Sequence, residues 1–257
     1  MMTDEDRSEL PIVDPPRHEA VTNGPQVAGL LLAAGTSSRF GDRNKLVTDV
    51  DGRPIVRHAA ETLLAADLSS VTVVVGHESD RVCNALVGLD VTIVENDRYA
   101  DGQATSVARG IEAIAATDAD AVVIALGDMP FVRPETIQTL VAAYADGAGD
   151  ALAPAVDGQR GNPVLFDRSH FAALRDVDGD VGGRAILLGG DNSALVAVAD
   201  TGIRRDVDRP EDVDDRPEDV DDRSENVDDR PEDVDDRSEN VDDRPEDVDD
   251  RSNDSGV

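Results

Sequence analysis

A chain of 257 residues with 56 acidic residues, 24 basic ones and a net charge of −32 lacks the basic stripe that a phosphate backbone calls for, which speaks against a nucleic-acid partner. Its one cysteine, Cys83, excludes an intramolecular disulfide, and no apolar run approaches the ~20 residues of a membrane span. The first residues, MMTDEDRSEL, are acidic and lack the basic start and apolar core of a signal peptide, so a soluble, cytoplasmic protein is expected.

The charge is unevenly spread. From Arg209 to the end stand 23 acidic residues against 7 arginines, a net −16 and half of the total. The preceding residues suit one domain with a sizeable core. With 2% aromatic residues and a single lysine, Lys45, beside 23 arginines, the composition is that of a halophilic protein. In such a cytoplasm screening shortens repulsion to about 3 Å at 1 M salt.

Residues 1–25 are polar, carry four prolines and show no sustained periodicity, as expected of a mobile leader. An alternation then begins. VAGLLLAA (27–34) is a nearly unbroken apolar run, the pattern of a strand buried on both faces. Helical spacing follows over 54–67, with Pro54 at a tolerated first position. VTVVV (71–75) predicts a strand and 80–88 a helix; VTIV (91–94) and 103–116 repeat the pair. AVVIAL (121–126) is another core strand, followed by a helix over 134–144. ALAPAV (151–156) and NPVLF (162–166) read as strands about the turn DGQRG. A short helix over 184–188 and a last strand, ALVAVA (194–199), complete the series.

Such alternation implies an α/β fold. It predicts a Rossmann-like, three-layer arrangement with a mostly parallel sheet and antiparallel additions at one edge. Ligands of such sheets bind beyond the carboxyl ends of the strands.

The end of the chain is a seven-residue repeat, six copies of R-x-x-x-V-D-D from Arg209 to Asp250. One apolar residue per repeat, recurrent proline and dense negative charge rule out a coiled coil and predict disorder. The expected organisation is therefore a leader (1–25), a catalytic domain (26–212) and an acidic tail (213–257).

Three stretches carry chemistry. Gly35, directly after the first buried strand, permits a turn whose backbone N–H groups can face an anion, and Arg39 and Lys45 add positive charge. The loop is neither a Walker A loop nor a dinucleotide fingerprint. In GDMP (127–130), Asp128 stands at the carboxyl end of a core strand. In DVDRPED (206–212), Asp206 and Asp208 flank Val207 and share one face of an extended segment. Together with Asp128 they offer the oxygen ligands that hard Mg²⁺ takes.

The ordered set LLLAAGTSSRFGDRNK, GDMP, GQRGNPVLF, GDVGGR and DVDRPED resembles the molybdenum cofactor cytidylyltransferases, within the wider molybdopterin-guanylyltransferase-like (MobA-like) NTP transferases. The resemblance spans Val27 to Asp212. It implies an enzyme that joins CTP to the terminal phosphate of a molybdopterin acceptor and releases pyrophosphate, with hand-over of the product to molybdenum hydroxylases. It places Ala33, Ala34 and Gly35 against the nucleotide and Arg39 and Lys45 on its phosphates. Gly76, Gly102, Gln103 and Ser106 fall near base and ribose, and Asp128 and Asp208 on the metal, with Asp206 supporting them. Gly161, Asn162 and Asp180 face the acceptor. The LAAG form makes Ala34 the residue on which the preference for CTP leans.

The chain departs from the family pattern at Phe40 and Arg209. Rival readings are a guanylyltransferase or another NTP transferase with a different phosphorylated acceptor, and a nucleotide-binding partner without catalysis.

Overall fold

The computed structural model describes residues 10–16, 24–36, 40, 44–177, 183–208 and 212. All belong to a unit bounded by Met1 and Pro217; the rest of the acidic repeat lies outside the described residues.

The apolar run at the start of the domain forms β2 (Val27–Ala33), buried along its whole length. It is flanked by two parallel strands, β5 (Ser70–Val75) and β7 (Ala121–Leu126). Because successive side chains of a strand alternate between faces, β2 feeds two cores. Val27, Leu31 and Ala33 join one, packed on α1 (Ile55–Leu64) and α4 (Pro134–Ala145). Ala28, Leu30 and Leu32 join the other, packed on α3 (Gln103–Ala115) and α5 (Phe171–Arg175). The result is the expected three-layer α/β arrangement. Among the described residues no helix is long and apolar enough to cross a membrane.

The remaining strands of the main sheet are β6 (Thr92–Glu95), β8 (Ala151–Val156), β9 (Gln159–Arg160), β10 (Val164–Asp167), β11 (Ser193–Ala197) and β1 (Ile12–Val13). The order across it is β1-β11-β8-β10-β7-β2-β5-β6, with β9 paired to β8. A separate hairpin, β3 (Asp49–Val50) and β4 (Arg53–Pro54), turns at Asp51-Gly52, and α2 (Ser79–Ala85) and α6 (Arg184–Gly189) complete the elements discussed below.

Two expectations need correction. The antiparallel strand is inside the sheet: β10 pairs with β7 on one side and β8 on the other. The cause is local. Asp157 and Gly158, with φ of 52° and 74°, form the two-residue turn whose twist suits a hairpin, so β9 returns directly along β8. The chain then continues past Gly161 and Asn162 into the space between β8 and β7. The second correction concerns the leader. Ile12 and Val13 add a parallel strand to β11, Pro11 accepts a hydrogen bond from the Leu195 N–H at 2.8 Å, and Leu10 and Val13 pack on the two cores. Two apolar residues between prolines are too few to show a period, yet an edge strand needs few residues and tolerates proline.

The last segment is tied down by one buried carboxylate. Asp200, 4% exposed, accepts from the Gly202 N–H at 2.9 Å, the Arg133 N–H at 2.9 Å and the Thr136 hydroxyl at 2.7 Å. It thereby fastens the turn that precedes Asp206 to the start of α4. Asp200→Ala strands those three donors and should lower unfolding free energy by about 3 kcal/mol, since each buried donor left unpaired costs about 1–3 kcal/mol. Urea unfolding at fixed salt checks this; a loss below about 1 kcal/mol would mean that the turn is held by other contacts.

Candidate active site

From β2 the chain runs outward through β5 and β6, then returns to the other side of β2 as β7. The reversal makes the carboxyl ends of β2 and β7 a topological switch point, where the loops part and leave a crevice. A cleft of about 470 Å³ opens there. Ala34, Gly35 and Thr36 line it from the loop after β2, Asp128 from the loop after β7, and Lys45, Asp206 and Asp208 from farther along the chain. The loops are pinned at their roots: Leu32 accepts from the Gly127 N–H at 2.9 Å, and Ala34 from the His77 N–H at 3.2 Å.

Lys45 begins a single 3-10 turn, Lys45–Val47. The buried Asn44 caps it, its Oδ1 accepting from the Leu46 N–H at 3.0 Å, and Leu46 anchors it in the core. So fixed, the Lys45 ammonium donates to Asp128 Oδ2 at 2.6 Å and to Asp208 Oδ1 at 2.8 Å. Burial opposes its charge, but the attraction and hydrogen bonds of the two carboxylates outweigh burial and raise its pKa above the ordinary 10.5. A raised folded-state pKa means that the stabilisation is fully present at neutral pH and is lost only as pH climbs past 10.5. Lys45 is a cation throughout the neutral range.

The second carboxylate arrives on an extended segment. Val207 is fully buried beside Phe40, Val50 and Ile55, and its N–H donates to the Asp128 carbonyl at 2.9 Å. Alternation then turns Asp206 and Asp208 toward the cleft. Asp128, Asp206 and Asp208 each present a carboxylate oxygen within 4.8 Å of the others. Desolvation and the neighbouring Asp208 and Asp128 raise the Asp206 carboxyl above its ordinary range. An all-oxygen donor set with surplus negative charge, already gripping an ammonium, suits a hard divalent cation such as Mg²⁺ or Mn²⁺.

The opposite side of the cleft is built by the segment before α3. Gly102 adopts φ 112°, a conformation open to glycine, and starts the helix. Asn96, buried, donates from Nδ2 to Ser106 Oγ and to Thr105 Oγ1, both at 2.9 Å. A hydroxyl that accepts from Asn96 keeps its own proton to donate, which leaves Ser106 equipped to recognise an acceptor atom in the cleft. Tyr99 and Ala100 line the same side, with Gly102, Gln103 and Ser106.

Of the residues singled out from the sequence, Ala34, Gly35, Gly102, Gln103, Ser106, Lys45, Asp128 and Asp208 share this one cleft. Ala33 turns its side chain into the core behind it. Gly76 does not line the cleft; a Cβ there would stand 2.7 Å from Tyr99 Cβ and 2.9 Å from Ala34 Cβ, so it lets those two residues close together. Asn162 lines a neighbouring cavity. Gly161 is buried against Ile203, where a Cβ would be 2.6 Å from Ile203 Cγ1. Arg39 and Asp180 lie outside the described residues. Tyr99 escaped the sequence reading, although one of only two tyrosines standing just before DGQATS was a signal. Asp206, expected to stand behind the ligands, presents its oxygen among them.

The chain matches the MobA-like NTP transferase domain over residues 29–195. It is 31% identical over 172 residues to nicotine blue oxidoreductase of Paenarthrobacter nicotinovorans, covering 65% of this chain and 83% of that protein. It is 36% identical over 122 residues to the bifunctional protein GlmU of Allorhizobium ampelinum, covering 46% of this chain but only 26% of that longer protein. Among solved structures, Rv0371c of Mycobacterium tuberculosis superposes with a TM-score of 0.62 at 26% identity, over 73% of this chain and 95% of that one. A structure of Rv0371c in complex with manganese superposes at 0.59 and 24%, over 73% and 95% of the two chains. A CMP:2-keto-3-deoxy-manno-octonic acid synthetase complexed with CTP shares the fold at 0.57 and 17%, over 72% and 94%.

The carboxylate cluster makes a direct prediction about cation binding. In Mn²⁺ titrations followed by water-proton relaxation, Asp128→Asn and Asp208→Asn should each weaken binding by at least about tenfold, the scale on which even supporting contacts of a metal act. Wild-type affinity in both variants would place the cation elsewhere.

Proposed function

We propose, from the premise that this chain belongs to the MobA-like NTP transferase domain family and is a nucleotidyltransferase, that it joins CTP to the terminal phosphate of a molybdopterin-type acceptor and releases pyrophosphate. The observation that carries the reading is the Lys45 ammonium between Asp128 and Asp208, facing the Ala34–Gly35 loop at the switch point. A cation and a set of hard oxygen donors beside an open backbone turn suit a triphosphate. The LAAG form of the loop and the CTP-bound neighbour favour cytidine, with Ala34 against the nucleotide.

Reaction requires two anions to meet, so alignment and charge neutralisation supply most of the catalysis. Lys45 neutralises the phosphates, assisted by Arg39 on the resemblance to the family. The backbone at Ala34 and Gly35 fixes the nucleotide's position; Gly102, Gln103 and Ser106 border base and ribose. Asp128 and Asp208, with Asp206, would hold Mg²⁺ or Mn²⁺, which when bound screens charge on the triphosphate. The acceptor enters from the side of Gly161 and Asn162, and the family resemblance adds Asp180 to its contacts. Delivery of the product to molybdenum hydroxylases belongs to this reading.

A second reading comes from the relative named nicotine blue oxidoreductase: a redox reaction on a small molecule in the same cleft. The carboxylate set beside Lys45 favours transfer, because a redox step does not require the divalent-cation site that Asp128, Asp206 and Asp208 offer. A guanylyltransferase differs only in the base.

The test is pyrophosphate release at high KCl with Mg²⁺, comparing CTP with GTP, with and without molybdenum cofactor. Acceptor-dependent release is expected from CTP, and Lys45→Ala should lower kcat about a hundredfold, the loss of ~3 kcal/mol of transition-state stabilisation, while the protein stays folded. Release from GTP alone would move the chain to the guanylyl branch, and unchanged turnover in Lys45→Ala would remove that residue from the phosphates.

A further inference from the structure

A second cavity, about 150 Å³, opens beside the cleft and shares Leu32, Gln103 and Leu126 with it. It is lined besides by Arg160, Asn162 and Arg184 and by the apolar Val164 and Phe166. Two separate local features bring the arginines together. Arg160 ends β9, held opposite Ala155 by the tight hairpin. Arg184 begins α6 directly after Gly183, where a Cβ would come within 2.6 Å of Phe166 Cζ; only a residue without a side chain lets the chain approach that ring so closely.

Neither guanidinium has an ion pair or a hydrogen bond among the described residues. Arg53, Arg57, Arg81, Arg98 and Arg109 each hold a carboxylate, as expected in a chain with 56 acidic residues. Arg160 is half-buried, and burial followed by the charge of Arg184 presses its pKa below the ordinary value. Two like charges facing one small cavity repel each other until an anion stands between them, and paired guanidinium forks are suited to the oxygens of phosphate.

We propose that Arg160 and Arg184 hold the phosphate monoester of the acceptor, the group that attacks the nucleotide. A doubly charged phosphate matches two guanidiniums where a carboxylate matches one, and the shared wall at Leu32, Gln103 and Leu126 sets it beside the triphosphate. The acceptor class is then a phosphorylated small molecule whose anionic end enters this cavity while its larger body remains outside. In the step itself an oxygen of that phosphate forms a bond to the α-phosphorus of CTP. The bond from the α-phosphorus to the α–β bridging oxygen breaks, and the electron pair leaves on pyrophosphate. The proposal rests on the transfer reading above for the identity of the attacking group.

Inorganic phosphate serves as the probe, titrated calorimetrically onto full-length protein, both free and saturated with α,β-methylene-CTP, with acetate as the carboxylate control. Wild type should bind phosphate and not acetate in both states. Arg160→Gln and Arg184→Gln should each weaken phosphate about tenfold or more, Arg160→Lys less, with affinity for the CTP analogue unchanged. Phosphate affinity unchanged in both glutamine variants would overturn the assignment, as would equal binding of acetate, or a parallel loss of the CTP analogue in the variants. Arginine-dependent phosphate binding in a wild type that ignores the CTP analogue would uphold the grip and sink the cytidine reading, so the two failures are distinguishable.

Discussion

Lys45 reaches carboxylates 83 and 163 residues farther along the chain, and without that cation three carboxylate oxygens would face one another within 4.8 Å. The ion triad joins the loop after β2, the loop after β7 and the terminal extended segment at a single point. Its value is positional more than energetic. Partly desolvated charges gain attraction and lose hydration in comparable amounts, so such groups add little net stability. Removing one partner while the others stay is another matter, because the uncompensated charge remains. The apolar anchors around it, Leu46 and Val207, supply the stability that the charged group does not. Val207 is both anchor and spacer, since its burial is what turns the flanking aspartates outward.

The same division of labour extends outward from the triad. On a surface crowded with acids, Arg53, Arg57, Arg81, Arg98 and Arg109 are each neutralised locally by a carboxylate three, four or eight residues away. Among the described residues, Arg160 and Arg184 leave positive charge available beside the mouth of the parallel sheet. For a protein of net charge −32 this matters twice. The long-range field repels an anionic substrate, an effect that salt screens, while short-range cations inside a concave site are screened far less. Binding of a triphosphate to such a chain has to be carried by local contacts.

Most of the fold was legible because its signals are periodic. The β2 and β7 runs are apolar throughout and β5 is apolar but for Ser70 and Thr72, since both faces are covered, and α1, α3 and α4 carry helical spacing. What escaped lacks a period. Ile12–Val13 is two residues long, the β3–β4 hairpin announces itself only by Asp51-Gly52, and α5 is five residues long. The placement of β10 inside the sheet depends on which side of β8 the hairpin returns, a tertiary choice that no local pattern encodes. In the cleft, Gly35, Lys45, Asp128 and Asp208 were readable as chemistry at the ends of strands. The contribution of Gly76 was misplaced by one step, because a glycine's role as a space left for Tyr99 is visible only once Tyr99 is there. Asp206 was underrated for a similar reason: alternation told which face it shares, and only the hydrogen bond from Val207 to Asp128 told how near that face lies.

The use of one lysine among 23 arginines follows from the geometry of the triad. Asp128 and Asp208 approach from different segments, and a point-like ammonium can donate to both at 2.6 and 2.8 Å without a required plane. A guanidinium gains most when its two parallel N–H groups meet one carboxylate in a shared plane, which would favour one aspartate over the other. It would also bring a broader, flatter group to a position where Asn44 and Leu46 hold the backbone close behind. Elsewhere on the surface, at Arg57 or Arg109, a single glutamate is the partner and the fork serves well. Among the described residues the two cations thus differ in the number of carboxylates each holds at once, and at the mouth of β2 and β7 a compact charge serves two.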